Sequence, residues 1–295
     1  MEDLMNFLKI SLFSLLLSFG QAIAFDYYSE FDSFPSSEEL LKLKTNGQVA
    51  ISICCSYPSK EQLNNLNTFK ISTVKLRVGH FPSDLEMEAL NSYQGSYSLE
   101  MSEVFPTKRD HNLINNSKIT QLTINSRDFL TKGEAIAING FGIDVRVNIN
   151  HPEYPLPRHM KILKLLKKSF TVSFKNRVAP GIGYANFFND LQTKKIFRIV
   201  NEYPYGEDYI GVNALTNSSL EFLMDDFLTE LDVDQFNKMK IDKKLMLGNQ
   251  LPYNTDKVKL INSIEGSQVY LDTNGLTPKL LDLLKKAKST IILMD

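Results

Sequence analysis

The chain has 295 residues, with 33 basic against 34 acidic side chains, a formal net charge of −1 and a pI near 6.5. That balance gives no electrostatic case for nucleic acid, which calls for a basic stripe or face. A hydrophobic content of 43% suffices for a continuous core, and two adjacent cysteines, Cys54 and Cys55, exclude a disulfide-built scaffold.

The N-terminus comes first. From Phe7 to Phe19 the chain is apolar apart from Lys9, Ser11, Ser14 and Ser18, and it continues Gly20-Gln21-Ala22-Ile23-Ala24. Ala22-x-Ala24 is a small-x-small pattern suited to cleavage after Ala24, and the run is too short to span a bilayer comfortably. Glu2 and Asp3 stand where such signals usually carry positive charge. The expectation is a signal peptide over residues 1–24 and a secreted or periplasmic chain beginning at Phe25, with no stable membrane span after cleavage.

From there a period governs the sequence. Steps of 23 and then 24 or 25 residues land on Phe34-Pro35, Tyr57-Pro58, Phe81-Pro82, Phe105-Pro106, Phe129-Leu130, Tyr154-Pro155, Ala179-Pro180, Tyr203-Pro204, Phe227-Leu228, Leu251-Pro252 and Leu276-Thr277. A fixed period in this range marks a stacked-repeat architecture, in which each unit buries its apolar face only against its neighbours. Before most of these anchors lies an alternating run that predicts a strand. In chain order the runs are 49–53, 74–78, 97–101, 122–124, 143–147, 170–174, 197–199, 220–224, 245–247, 269–271 and 291–293. After the anchors, apolar residues spaced three and four apart predict helices, among them 85–90, 160–166, 187–191, 258–264 and 280–284. Ser83-Asp84 and Thr255-Asp256 suit helix starts. Strands separated by single helices lie parallel. The expectation is therefore an α/β fold. It is a right-handed curved solenoid of about 11 strand–turn–helix units over residues 25–295, with the parallel sheet on its concave face.

The stretch Val269-x-Leu271-x-x-Asn274-x-Leu276, continuing to Leu280, Leu281 and Leu284, resembles the leucine-rich-repeat pattern L-x-L-x-x-N-x-L. The slot two residues before the anchor holds Asn201, Asn249 and Asn274, with Cys55 as a variant and Asp225 close to it. The same slot holds Gly79, Glu103, Arg127, Pro152 and Arg177 elsewhere, and aromatic residues replace most anchor leucines, so the likeness is to a divergent, irregular member. The resemblance implies a horseshoe whose slot side chains are buried and bond the backbone of adjacent turns.

Residue constellations for chemistry are sparse. His80, His111, His151 and His159 show no i, i+4 pair of the kind that binds zinc on a helix, so no metal and no cofactor are expected. Neighbours on a strand point to opposite faces, which argues against a bridge between Cys54 and Cys55. Pro180-Gly181-Ile182-Gly183 lacks the lysine of a phosphate loop and reads as a turn. Arg158 to Lys168 is a basic amphipathic segment. A membrane-surface helix shares that pattern, and a convex helix with lysines outward is the reading adopted.

Strand residues between the core positions face the concave surface. Lys75, Arg77, Glu100, Asp144, Arg146, Arg198, Glu221, Tyr270 and Asp272 are the expected partner-binding set, a mixed-charge face suited to a protein. The function expected is therefore non-enzymatic protein binding. The alternative is an exported (β/α) barrel hydrolase using strand-end carboxylates such as Glu103, Asp225 and Asp272. The last strand, with apolar Ile292 and Met294 between its core positions, is expected to pair with a second copy in a two-fold dimer or to be covered by a partner.

Overall fold

The computed structural model describes residues 27–43, 49–202, 208–248, 253–272 and 275–294. The predicted signal segment and the anchors at Tyr203 and Leu251 lie outside the described residues. Strands and helices alternate without exception. The first half runs β1 (Tyr27–Phe31), α1 (Ser37–Lys42), β2 (Val49–Cys54), α2 (Lys60–Thr68), β3 (Thr73–Val78), α3 (Asp84–Asn91), β4 (Ser96–Ser102), α4 (Lys108–Asn115), β5 (Ile119–Ser126), α5 (Lys132–Ile138) and β6 (Asp144–Ile149). The second half runs α6 (Pro157–Leu163), β7 (Thr171–Asn176), α7 (Ile182–Asn189), β8 (Lys194–Val200), α8 (Asp208–Asn213), β9 (Ser218–Met224), α9 (Glu230–Lys238), β10 (Asp242–Leu247), α10 (Thr255–Asn262), β11 (Ser267–Asp272), α11 (Pro278–Leu284) and β12 (Thr290–Met294).

The strands form one sheet of 12 in sequence order, and every neighbouring pair is parallel. The two ends, β1 and β12, do not pair with each other, so the sheet is open. This is the curved solenoid that the period predicts, with one strand more than the alternating runs mark. β1 lies in Tyr27-Tyr28-Ser29-Glu30-Phe31, too short for a clear alternation, and it is fixed by pairing with β2. The open sheet also removes the closed barrel on which the hydrolase alternative rests.

The core lies between sheet and helices. Val74, Leu76 and Val78 on β3, or Tyr97, Leu99 and Met101 on β4, are buried beneath helix residues such as Met87, Leu90 and Ile114. The anchors divide this work in an unexpected way. Phe81, Phe105 and Phe129 are only half-buried, while the next residues, Pro82, Pro106 and Leu130, are buried. The proline lies several residues after the strand stops and directly precedes the helix cap. In the helices led by Ser36, Ser59, Ser83, Thr107, Thr131 and Thr229 the cap side chain accepts from the third helical N–H, and the acid or amide at that position returns a bond to the cap backbone. Each reciprocal pair satisfies donors that a helix start leaves orphaned. The buried residue before the cap, and the buried one five positions later (Leu40, Leu63, Met87, Ala135 or Val233), fix the entry angle of the chain. At the tenth helix the cap is Asn254, one residue before the expected Thr255.

A second device ties the helical layer together. Asn67, Asn91, Asn115, Asn139, Asn189, Asn213, Asn237 and Asn262 recur at the repeat period near the helix ends. Asn139 donates to Leu165 O at 2.6 Å and accepts from Lys167 N at 2.9 Å. Asn213 does the same to Lys238 O at 3.0 Å and from Lys240 N at 2.6 Å, and Asn115, Asn189 and Asn237 repeat the pattern. Each amide thus satisfies a carbonyl and an N–H of the next repeat, a pairing that the turn backbone would otherwise lack.

Two expectations about the strand-end slot need correction. Asn201 accepts from Asp225 N at 2.9 Å and donates to the Asp225 carboxylate at 2.6 Å, so it bridges to the next turn, but it is exposed rather than buried. Cys54 and Cys55 are joined as a disulfide. β2 ends at Cys54, and Cys55 has already turned out of the strand with φ of 79°. The opposite-faces argument holds only within a strand, and the turn brings the two sulfurs to one side.

Candidate functional site

The parallel register sets every residue between the core positions on the side away from the helices. Lys75, Arg77, Glu100, Asp144, Arg146, Arg198, Glu221 and Tyr270 all stand there, as their spacing predicts. Asp272, at the end of β11, is buried. The structure connects most of the charged members. Lys75 pairs with Glu100, whose carboxylate also accepts from Asn125 at 2.8 Å. Asn148 donates to Asn125 at 2.7 Å, and Arg146 Nε donates to Asn148 at 2.9 Å. The Arg146 guanidinium then lies 3.4 Å from Glu221, which also accepts from Arg198 Nε at 2.7 Å. One polar chain therefore crosses the hollow from β3 to β9.

The last link measures the curvature. β6 and β9 are three strand spacings apart, about 14 Å along the sheet. Arg146 and Glu221 meet only because the sheet bends toward its concave side. The bend also forms a hollow of about 830 Å³, lined by Asp144, Arg146, Lys194, Glu221, Lys244 and Lys288 among others.

Electrostatics holds the chain in its charged form. Burial alone would raise the Glu221 carboxyl, but the charges of Arg198 and Arg146 and the Arg198 hydrogen bond hold it below its ordinary 4.5. Glu100 follows the same logic: burial opposes ionisation, and the bonds from Lys75 and Asn125 overcome it. Arg146 is lowered, first by burial and then by the like charge of Arg198, with Glu221 opposing both. Arg77 lies 3.6 Å from Glu30 on β1, and the Tyr270 hydroxyl donates to Gln268 at 3.2 Å. Asp144 is exposed at the start of β6.

Beside the polar chain runs an apolar row. Val200, Leu223, Met246, Tyr270 and Ile292 are register partners on β8 to β12, and each is half-exposed on the concave side. Five strands at the usual spacing make this row about 19 Å long. Leu223, Met246, Tyr270 and Ile292 are marked by strand alternation; Val200, one residue past the predicted run 197–199, is not. Asn125 and Asn148 also escape sequence reading, because they follow the last clear alternation of their strands.

Of the carboxylates of the hydrolase alternative, Glu103 and Asp225 stand apart. Glu103, after β4, accepts from Arg127 N at 2.5 Å, while Asp225, after β9, is engaged with Asn201. Five strand spacings, about 24 Å along the sheet, separate those two strands. Among the described residues no group of three or more His, Cys, Asp or Glu is placed to hold a metal ion. No protein-family model matches the chain, and a search of curated proteins finds no match.

Proposed function

We propose that this chain is an exported, non-enzymatic repeat protein, a divergent relative of the leucine-rich-repeat class, whose concave sheet binds another protein. The observation that carries this reading is the half-exposed row Val200, Leu223, Met246, Tyr270 and Ile292, set beside a polar chain whose charges are already paired. A row of apolar side chains on the open face of a rigid sheet fits the apolar centre of a protein interface, with the ordered polar groups at its rim. The whole inner face, 12 strands wide, has room for an interface of standard size.

Export rests on the sequence of residues 1–24, and pairing of a second copy along β12 rests on its position at the sheet edge. Two measurements test the proposal. Intact mass of the native protein is expected to correspond to a chain starting at Phe25, and retention of Met1 contradicts export. Replacing Leu223, Met246 and Tyr270 together by serine is expected to abolish partner binding with little change in melting. Undiminished binding moves the site off the concave face.

A further inference from the structure

The convex side of the repeats around α6 and α7 differs from the rest of the molecule. From Tyr154 to Asn189 the chain holds seven Lys or Arg and no Asp or Glu, although the whole protein has a net charge of −1. The same 36 residues supply six of the 11 exposed large hydrophobic side chains among the described residues: Leu156, Leu165, Val178, Ile182, Tyr184 and Phe187. Ile182 and Phe187 are 53% and 46% exposed on α7.

The local sequence departs from that of the other repeats. The cap position, serine or threonine in most repeats, is Leu156 before α6 and Gly181 before α7, and neither supplies a side-chain cap. The anchor slot, aromatic in most repeats, is filled by Ala179 before α7. Leu156, Val178 and Tyr184 line one shallow surface cavity of about 470 Å³, whose lining also includes Glu153 and Asp208. α8 is pressed against this region: a Cβ on Gly211 would lie 2.5 Å from the Gly181 carbonyl carbon, so only glycine admits the approach. Lys161, Lys168 and Arg177 stand exposed in the same segment.

From this juxtaposition we infer that the convex face of α6 and α7 docks on an anionic lipid surface. Apolar side chains protruding from a convex face, with lysine and arginine in the same segment, match a headgroup boundary, where the apolar groups enter the acyl edge and the cations meet phosphate. A folded protein partner would instead need a matching concavity for these protrusions. The charge complementarity is local: outside this segment the chain carries an acidic excess.

The test is flotation of the full chain with vesicles of phosphatidylcholine alone and of phosphatidylcholine mixed with phosphatidylglycerol. Wild type is expected to partition onto the anionic vesicles, less at high salt, and only weakly onto the neutral ones. The double variants Ile182→Ser/Phe187→Ser and Lys161→Glu/Lys168→Glu are each expected to lower the partition about tenfold or more. All four positions are exposed, so melting is expected to stay unchanged. Leu85→Ser, at an exposed leucine on α3, is expected to bind as wild type does. Whether or not residues 1–24 are removed, the N-terminus is common to every variant, so equal partition of wild type and both double variants assigns binding elsewhere and overturns the inference. Failure of the wild type to bind anionic vesicles, or its preference for a polyglutamate peptide over them, also overturns it, the latter in favour of an acidic protein partner.

Discussion

The concave and convex surfaces of β6 to β9 are built from the same repeats and treat charge in opposite ways. In the hollow, Arg146 and Arg198 converge on one buried carboxylate, Glu221, and Glu100 is held by Lys75 and Asn125. On the outer side of α6 and α7, Lys161, Lys168 and apolar side chains stand exposed, while Lys164 pairs with Asp190 and Lys167 donates to Phe141 O, and neither cap residue, Leu156 or Gly181, supplies a side-chain cap. The contrast shows where electrostatics fixes shape and where it remains free to meet something else. A charge satisfied inside the hollow adds rigidity and offers little to a partner, so the concave binding we propose is assigned to the apolar row beside it.

Glu221→Ala gives the largest expected effect on this comparison. It leaves Arg146 and Arg198 facing each other in a site where Glu221 is 7% exposed. The expected cost in chemical denaturation is about 3 kcal/mol, at the low end for a broken buried pair because both arginines keep some solvent. A cost below about 1 kcal/mol would place the concave pairs in the same class as the exposed Arg109–Asp84 pair. The same carboxylates set a pH dependence. Their folded pKa values lie below the ordinary 4.5. Their contribution is therefore fully present above that value and lost as pH falls through the lower folded values. Stability of the wild type is expected to drop below about pH 4.5, and the drop is expected to be smaller in Glu221→Ala. An equal drop in both chains would assign acid sensitivity to other groups.

Asn139→Ala comes next. It removes two bonds to the following repeat, one of each polarity, for an expected loss of about 1–2 kcal/mol in the same denaturation assay. An unchanged midpoint would show that water replaces the ladder without cost. The smallest effects concern the helix starts. Thr131→Ala is expected to lose about 1 kcal/mol, and Leu156→Ser to gain roughly 0.5–1 kcal/mol by supplying the cap that α6 lacks. If Leu156→Ser destabilises, the leucine packs usefully, and the convex surface is part of the fold rather than free for docking.

Much of this architecture is legible in the sequence, for reasons the residues make plain. Strands β2 to β12 follow period-two alternation because one face of each is buried under helices while the other meets solvent. The capping boxes, Ser59-x-x-Gln62 and Thr131-x-x-Glu134 for example, and the asparagines from Asn67 to Asn262 are equally periodic, so the signal for both was present at the same spacing as the anchors. Pro82 and Pro106, each directly before the cap residue, mark the same helix starts. The meeting of Arg146 with Glu221, 75 residues apart, depends on how tightly the sheet curves, which no local pattern encodes. The bond between Cys54 and Cys55 depends on the backbone leaving the strand between them, at a residue type that rarely adopts positive φ.

Photo-crosslinking from the concave row tests the central claim most directly. With a benzophenone amino acid at Tyr270 and, separately, at Asn186 on the convex side of α7, the full chain would be irradiated in its native compartment. The account predicts a discrete adduct with one protein from position 270, lost when Leu223 and Met246 are replaced by serine, and no such adduct from position 186. A protein adduct from position 186 with none from position 270 would contradict it.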